Sequence, residues 1–390
     1  MGPSESISVE AAALPTPSGR LASDAEIAEG AARRRAAAAN ADGAAARTID
    51  RAPHRPGPDH VYAALDLGTN NCRLLIAKPG PERSGRPDFR VVDSFSRIVR
   101  LGEGLSQSGE LSAAAIERTL EALEVCRDKM RMRGVTRARL IATEACRSAQ
   151  NGAAFLARVR EEVGLELEIV DRETEARLAA AGSASLADAA AEGVLLFDIG
   201  GGSSEIVWLG RAATNAAVDR SIDLAIRERI RCWVSLKLGV VTLAEKFGGH
   251  EVSDAVFEAM IEHVARELQA FVLMVSPQRR CEHFHLLGTS GTVTTIAGVF
   301  LGLGRYDRRR VDGLWMSSAD VTRAVDCLRR MTYGERAANG CIGLGRADLV
   351  LAGCAILEAI RRAFPADRVR IADRGLREGI LLQLMSADGM

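Results

Sequence analysis

A chain of 390 residues with 47% apolar and 26% charged residues is long enough to bury two packed domains. Its 51 basic residues balance 51 acidic ones, which argues against a general nucleic-acid or anionic-membrane surface, since both use a pronounced basic excess. No apolar run approaches the roughly 20 residues that span a bilayer, and Met1 to Glu10 lacks a basic-then-apolar order, so the expectation is a cytoplasmic protein with no membrane partner.

Residues 1–59 are Ala-rich, with Pro, Ser, Gly and Arg at irregular spacing and few large apolar side chains, the composition of a disordered tail. From Val61 the texture changes. Val61 to Leu65, then Asp66-Leu67-Gly68-Thr69-Asn70-Asn71, then Cys72 to Ala77 read as strand, glycine turn and return strand. Phe89 to Val99 supplies another strand. Ser112 N-caps a helix with Ile116, Leu120, Leu123 and Met130 at helical spacing. A strand over Arg139 to Thr143, a helix from Asn151 to about Val163, a strand over Leu165 to Val170 and a helix from Thr174 to about Leu186 follow.

Val194 to Ile199 restarts the pattern, entering Asp198-Ile199-Gly200-Gly201-Gly202-Ser203-Ser204-Glu205 and returning through Ile206 to Leu209. Asp66 and Asp198 each end a strand that enters a glycine turn, a weak internal duplication. Helices are expected over Val252 to Met274, Ser318 to Arg330 and Arg346 to Ala363, strands near His283 to Leu287 and Arg368 to Ile371, and a last helix from Gly375. A hairpin meander followed by alternating helices and strands, occurring twice, calls for an α/β protein of two domains, 60–188 and 189–388, each a mixed sheet with helices packed on it. The two glycine turns would face each other across a cleft.

Glycine turns expose backbone N–H groups that phosphate oxygens can reach where no Cβ intervenes. Asp198 to Glu205 is a strong turn of this type and Asp66 to Asn71 a weaker one. A third candidate is Leu286 to Thr295, where a strand gives way to Gly288-Thr289-Ser290-Gly291-Thr292 opening a helix, whose unpaired N-terminal amides bind anions. No Gly-Lys-Ser/Thr follows, so P-loop chemistry is excluded. Asp66 and Asp198 could hold Mg²⁺ at the mouths of the turns, or could each cap a turn. Glu144 and Arg147 lie just past a strand end, where an acid could orient and deprotonate water and an arginine neutralise the transferred group; a salt bridge without ligand is the equal alternative. Arg73, on an otherwise apolar return strand, calls for a carboxylate or phosphate partner. Glu173 and Glu175 suit a helix start whatever else they do.

Two smaller signals read as structural. His283 and His285 alternate on one strand face without an evident third metal ligand, and are taken as partly exposed strand histidines. The eight cysteines (Cys72, Cys126, Cys146, Cys232, Cys281, Cys327, Cys341 and Cys354) include no Cys-x-x-Cys pair, which points to a reduced compartment. Cys146 is read as a buried, inert thiol.

In order, Asp66 to Leu74, Ala142-Thr143-Glu144-Ala145-Cys146-Arg147, Asp198 to Glu205, Gly288 to Thr292 and Gly375-Leu376-Arg377-Glu378-Gly379 resemble the exopolyphosphatase and guanosine pentaphosphate phosphohydrolase (Ppx/GppA) family over roughly Val61 to Met385. The resemblance implies two actin-like, ribonuclease-H-like domains around a cleft, and Mg²⁺-dependent (alternatively Mn²⁺-dependent) attack of water on a terminal phosphoanhydride. Glu144 would be the general base and a metal ligand with Asp66 and Asp198, Glu175 a second acid, and Arg147 a catalytic partner. Asp66, Gly68, Thr69, Asn70, Asn71, Arg73, Gly200, Gly201, Gly202, Ser203, Ser204, Glu205, Gly288, Thr289, Ser290, Gly291 and Thr292 would bind phosphate. The implied partner is inorganic polyphosphate or guanosine pentaphosphate, with dimerisation common among such cleft enzymes. A sensor that binds these polyanions without turnover is the alternative. Ser290 stands where the family usually has glycine, Asp312 where it often has His and Ala372 where it often has Ser. The chain ends soon after the Gly-Leu-Arg helix, without the extra helical domain of longer members, which favours short chains or a pentaphosphate.

Overall fold

The computed structural model describes residues 60–83, 86–211, 222–276 and 283–390; the expected tail at 1–59 and Cys281 lie outside the described residues. β1 (Tyr62–Leu67), β2 (Asn71–Arg83), β3 (Arg86–Ile98), β4 (Arg137–Ala142) and β5 (Glu168–Ile169) form a five-stranded sheet in the order β3-β2-β1-β4-β5. β6 (Gly193–Ile199), β7 (Ser204–Gly210), β8 (Ile230–Leu236), β9 (Phe284–Thr289), β10 (Trp315–Ser317) and β11 (Arg368–Ala372) form a second sheet, ordered β10-β11-β9-β6-β7-β8.

The two sheets repeat one topology. β1, β2 and β3 are an antiparallel meander with β4 and β5 added in parallel beside β1. β6, β7 and β8 are the same meander, with β9 and β11 added in parallel beside β6. Asp66 and Asp198 are each the penultimate residue of the first strand, so the weak duplication in sequence is a duplication of fold. This is the mixed α/β, actin-like architecture of two sheets.

β1 is buried on both faces, as its nearly continuous apolar sequence requires. Alternate residues Ala63, Leu65 and Leu67 join one cluster with Leu120, Leu123 and Cys126 of the helix Ala113–Met132. Tyr62 and Ala64 point the other way, toward Leu376, Ile380 and Leu381 of the last helix, Leu376–Ala387. That helix crosses the helix Arg172–Ser183 at two glycines. A Cβ on Gly182 would lie 1.9 Å from the Gly375 carbonyl oxygen, and one on Gly379 would lie 2.0 Å from that of Leu178. The backbones touch because neither residue has a side chain.

Some expected elements shift. Only Glu168 and Ile169 pair with β4, because Leu165 and Leu167 turn into the core beside it instead of extending the strand. The helix Gly152–Arg158 runs into a π-helical turn, Val159–Val163. β8, β10 and the helices Ile222–Arg229 and Val240–Phe247 are further elements, for which the sequence carried no expectation. His285 is buried, not partly exposed: its Nε2 accepts the Asp188 N–H at 3.1 Å, its Nδ1 lies 2.9 Å from the Leu286 carbonyl oxygen, and its ring stands edge-on to Trp315. Cys146 is buried, and burial pushes its thiol up to about 12. Among the described residues no helix is long and apolar enough to cross a membrane.

Candidate functional site

The two glycine turns are built alike: the Gly68 N–H donates to the Asn71 carbonyl and the Gly200 N–H to the Ser203 carbonyl, each at 2.9 Å. They do not merely face each other; they pack. A Cβ on Gly202 would lie 2.6 Å from Thr69 Oγ1, and one on Gly201 would lie 3.1 Å from the Asn70 backbone nitrogen. Glycine at both positions is what lets the first turn approach the second. Beyond this contact opens a cavity of about 980 Å³, lined from both sheets by the two turns, by Thr289 to Thr292, and by Arg346 and Arg377.

Strand register brings the acids to its floor. Asp66 stands directly across from Arg73 on β2, and Asp198 directly across from Glu205 on β7 and beside Thr289 on β9. Burial raises the carboxyl of Asp66, with Arg73 and Arg377 opposing the rise. Burial pushes Asp198 up to about 6, and burial with repulsion from Asp198 pushes Glu205 up to about 7. Glu175, on the cavity wall, is raised well above the usual carboxylate range by burial and by Glu205. Buried carboxylates that disfavour one another's charge are a donor set whose repulsion a divalent cation would relieve.

Glu144 sits differently. It opens a short helix, Glu144–Ser148, that begins one residue past β4, and its Cγ lies 3.3 Å from where a Cβ on Gly202 would be. Its carboxylate is fully engaged. Arg147 donates to Oε2 through Nη2 at 2.6 Å and Nε at 3.2 Å, the Ser148 hydroxyl donates to Oε1 at 2.6 Å, and Arg172 Nη2 reaches both oxygens at 3.0 and 3.1 Å. Burial works against its charge, but these hydrogen bonds together hold its carboxyl below the usual range. With both oxygens taken, Glu144 does not fit the metal-ligand role expected of it. Nor is Arg147 free for phosphate: Nη2 also donates to Glu175 at 3.1 Å and Nη1 to the Val170 carbonyl at 2.6 Å.

Cations line the cavity too. The helix Gly291–Phe300 aims its N-terminus inward, and Arg73 and Arg346 nitrogens lie 3.6 and 3.7 Å from where a Cβ on Gly291 would be. Burial, then Arg73, depresses Arg346; Arg377 is depressed by burial, with Arg73 adding to it. Among the described residues Arg73, Arg346 and Arg377 make no ion pair within 4 Å, so the lining holds cationic charge that an anion would satisfy. Ser290 has φ of 95° and ψ of 174°, backbone that glycine adopts freely, and this is the position where glycine was expected. Asp312 pairs with Arg374 and accepts the Asp373 N–H at 3.0 Å, bracing a loop of the cavity wall.

Of the expected phosphate-binding residues, Asp66, Gly68, Thr69, Asn70, Asn71, Arg73, Gly200 to Ser203, Glu205 and Thr289 to Thr292 line the cavity. Two do not. Ser204 alternates away on β7, its buried hydroxyl donating to the Leu238 carbonyl at 2.8 Å. Gly288 lies inside the sheet, where a Cβ would meet the Phe197 ring at 2.7 Å. Arg172, Arg346 and Arg377 went unassigned in the sequence. Arg377 alone carried a signal, a cation between the buried Leu376 and Glu378 in a helix start; Arg172 and Arg346 become legible only through what folds against them.

Among the described residues no cluster of three or more His, Cys, Asp and Glu side chains is spaced to hold a metal by itself. Asp66 adds to the rise at Asp198; two such carboxylates are of the kind that would hold Mg²⁺, with water and substrate oxygens completing the shell.

Residues 81–388 match the model of the Ppx/GppA phosphatase family. The chain is 30% identical over 331 residues to Exopolyphosphatase 2 of Mycobacterium tuberculosis, covering 83% of this chain and 98% of the relative. A crystal structure of the Aquifex aeolicus Ppx/GppA family member superposes with a TM-score of 0.66 at 26% identity, covering 85% of this chain and 99% of that one. An exopolyphosphatase from Cytophaga hutchinsonii shares the fold, with a TM-score of 0.73 at 23% identity over 84% of this chain and 98% of that one.

Proposed function

Because the chain belongs to the Ppx/GppA phosphatase family, we propose that it hydrolyses terminal phosphoanhydride bonds, releasing phosphate from inorganic polyphosphate and, in the same cleft, from guanosine pentaphosphate (pppGpp to ppGpp). One observation carries the reading beyond membership. Arginines that make no ion pair among the described residues, together with a helix N-terminus, line the same cavity as a group of crowded carboxylates. The first is built for a phosphate chain and the second for the cation that accompanies it.

In this reading Arg73, Arg346, Arg377 and the amides opening the helix Gly291–Phe300 hold the phosphate oxygens and fix the chain for in-line attack. Asp66 and Asp198 would hold Mg²⁺, which would supply neutralising charge for the transferred group. Glu144 is the general base that accepts a proton from the attacking water. Its hydrogen bonds keep it ionised at neutral pH but lower its proton affinity, so one of them must yield as the water donates its proton. Arg147 ties it to Glu175 on the cavity wall, so the two acids act as one unit. Glu144→Gln is expected to abolish Mg²⁺-dependent phosphate release while thermal unfolding stays near wild type. Wild-type rates in that variant would remove Glu144 as the base. Initial rates of the purified protein on polyphosphate and on guanosine pentaphosphate rank the two substrates, and tight binding of both without release would instead favour a sensor.

A further inference from the structure

The acid pair of the site is held in a chain of alternating charge, Arg172–Glu144–Arg147–Glu175, and one member of that chain has no evident structural reason to be there. Glu144, Arg147 and Ser148 fall at positions i, i+3 and i+4 of one short helix, hence on one face. Asp171 caps the helix Arg172–Ser183 by accepting the Thr174 N–H at 2.7 Å, which sets Arg172 and Glu175 at i and i+3, again on one face. The two faces meet: Arg147 bridges Glu144 and Glu175, and Arg172 returns to Glu144.

Arg172 is placed against its own helix. A cation in the first turn meets the positive end of the helix dipole, where an acid would be favoured. Its Nε is buried with no hydrogen-bond partner among the described residues, a cost that a residue serving only stability would avoid. What it gains is a single contact: Nη2 spans both oxygens of Glu144. We propose that Arg172 is a positioning residue for the reaction, fixing both oxygens of the Glu144 carboxylate while Arg147 bridges from Glu144 to Glu175. The inference rests on Glu144 being the base.

The two arginines use their forks differently, and this makes the proposal specific. Arg147 uses three nitrogens on three partners, Glu144, Glu175 and the Val170 carbonyl. Arg172 uses one nitrogen on one carboxylate. A lysine ammonium can replace a one-nitrogen contact and removes the orphaned Nε; it cannot replace a fork.

The test is steady-state phosphate release from polyphosphate with Mg²⁺ by the full chain. Arg172→Ala is expected to lower kcat by about tenfold to a hundredfold, the size of a lost charge-assisted hydrogen bond acting in the transition state, with KM within about threefold of wild type. Arg172→Lys should restore most of kcat, whereas Arg147→Lys should not. Wild-type kcat in Arg172→Ala, a loss confined to KM, or no rescue by lysine would each overturn the role of Arg172. These outcomes are separable from failure of the base assignment, which shows as wild-type activity in Glu144→Gln alone. If Arg172→Ala unfolds below assay temperature, Arg172→Gln is read by the same criteria.

Discussion

Ser290 is a residue whose chemistry and backbone disagree. Its φ of 95° with an extended ψ belongs to a region that non-glycine residues occupy at a cost on the order of 1–3 kcal/mol. Its hydroxyl offsets part of this by accepting the Thr292 N–H at 3.3 Å, a cap that glycine forgoes for only a few tenths of a kcal/mol. Ser290→Gly is therefore expected to raise stability by about 1 kcal/mol in denaturant unfolding; a loss would mean that the hydroxyl outweighs the strain. Glu205 illustrates the same tension in charge. Its carboxyl rises to about 7 in the folded protein, so the folded state binds its proton more tightly than the unfolded chain does. That stabilising contribution is complete below the unfolded value near 4.3, and is lost as pH rises through about 7. Glu205→Gln should accordingly unfold at higher denaturant than wild type at pH 8, by on the order of 2 kcal/mol, and lose that advantage at pH 5. An unchanged difference between the two pH values would show that Glu205 is not carrying the charge.

At the scale of elements, the site depends on how closely the last helix meets the helix Arg172–Ser183. Gly182 and Gly379 let their backbones touch, and the first helix carries Arg172 and Glu175 while the second carries Arg377. A side chain at either glycine must push the helices apart, against backbone atoms that cannot yield. Gly379→Val is expected to destabilise by about 2–4 kcal/mol, as overpacking with a backbone shift does, and to depress phosphate release further than the residual folded fraction explains. Full activity in the folded fraction would uncouple the crossing from the site. Both helices were expected from the sequence, from Thr174 to about Leu186 and from Gly375 on. Their mutual packing was not, because a glycine in a helical pattern reads the same whether it is a weak point or a contact.

For the whole molecule, a ligand in the cavity touches both sheets at once, so binding should stabilise the fold as a unit. With Mg²⁺ and a slowly hydrolysed phosphate chain at about a hundredfold excess over Kd, stabilisation of about 2.7 kcal/mol is expected. In a chain of this size that is a rise in Tm of about 3–4 °C, and Arg346→Ala should abolish it. A rise that persists in that variant would place the anion elsewhere.

Local patterning was enough to reveal the meander, the glycine turns and their repetition, because hydrogen-bonding period and backbone conformation are properties of neighbouring residues. Asp66, Gly68, Asp198 and Gly200 to Gly202 could be assigned to a phosphate cleft on that basis. The direction in which each side chain points is not local. Ser204 lies between two cavity-lining residues yet turns into the core, and Gly288 packs on Phe197 instead of facing a ligand. Glu144 was legible as a functional acid, but its state was not: it is an arginine from a helix that begins 28 residues later in the chain that reaches both of its oxygens. Charge, burial and hydrogen-bond partners are set by what folds against a residue, and only the tertiary structure brings Arg172, Arg346 and Arg377 to the site they serve.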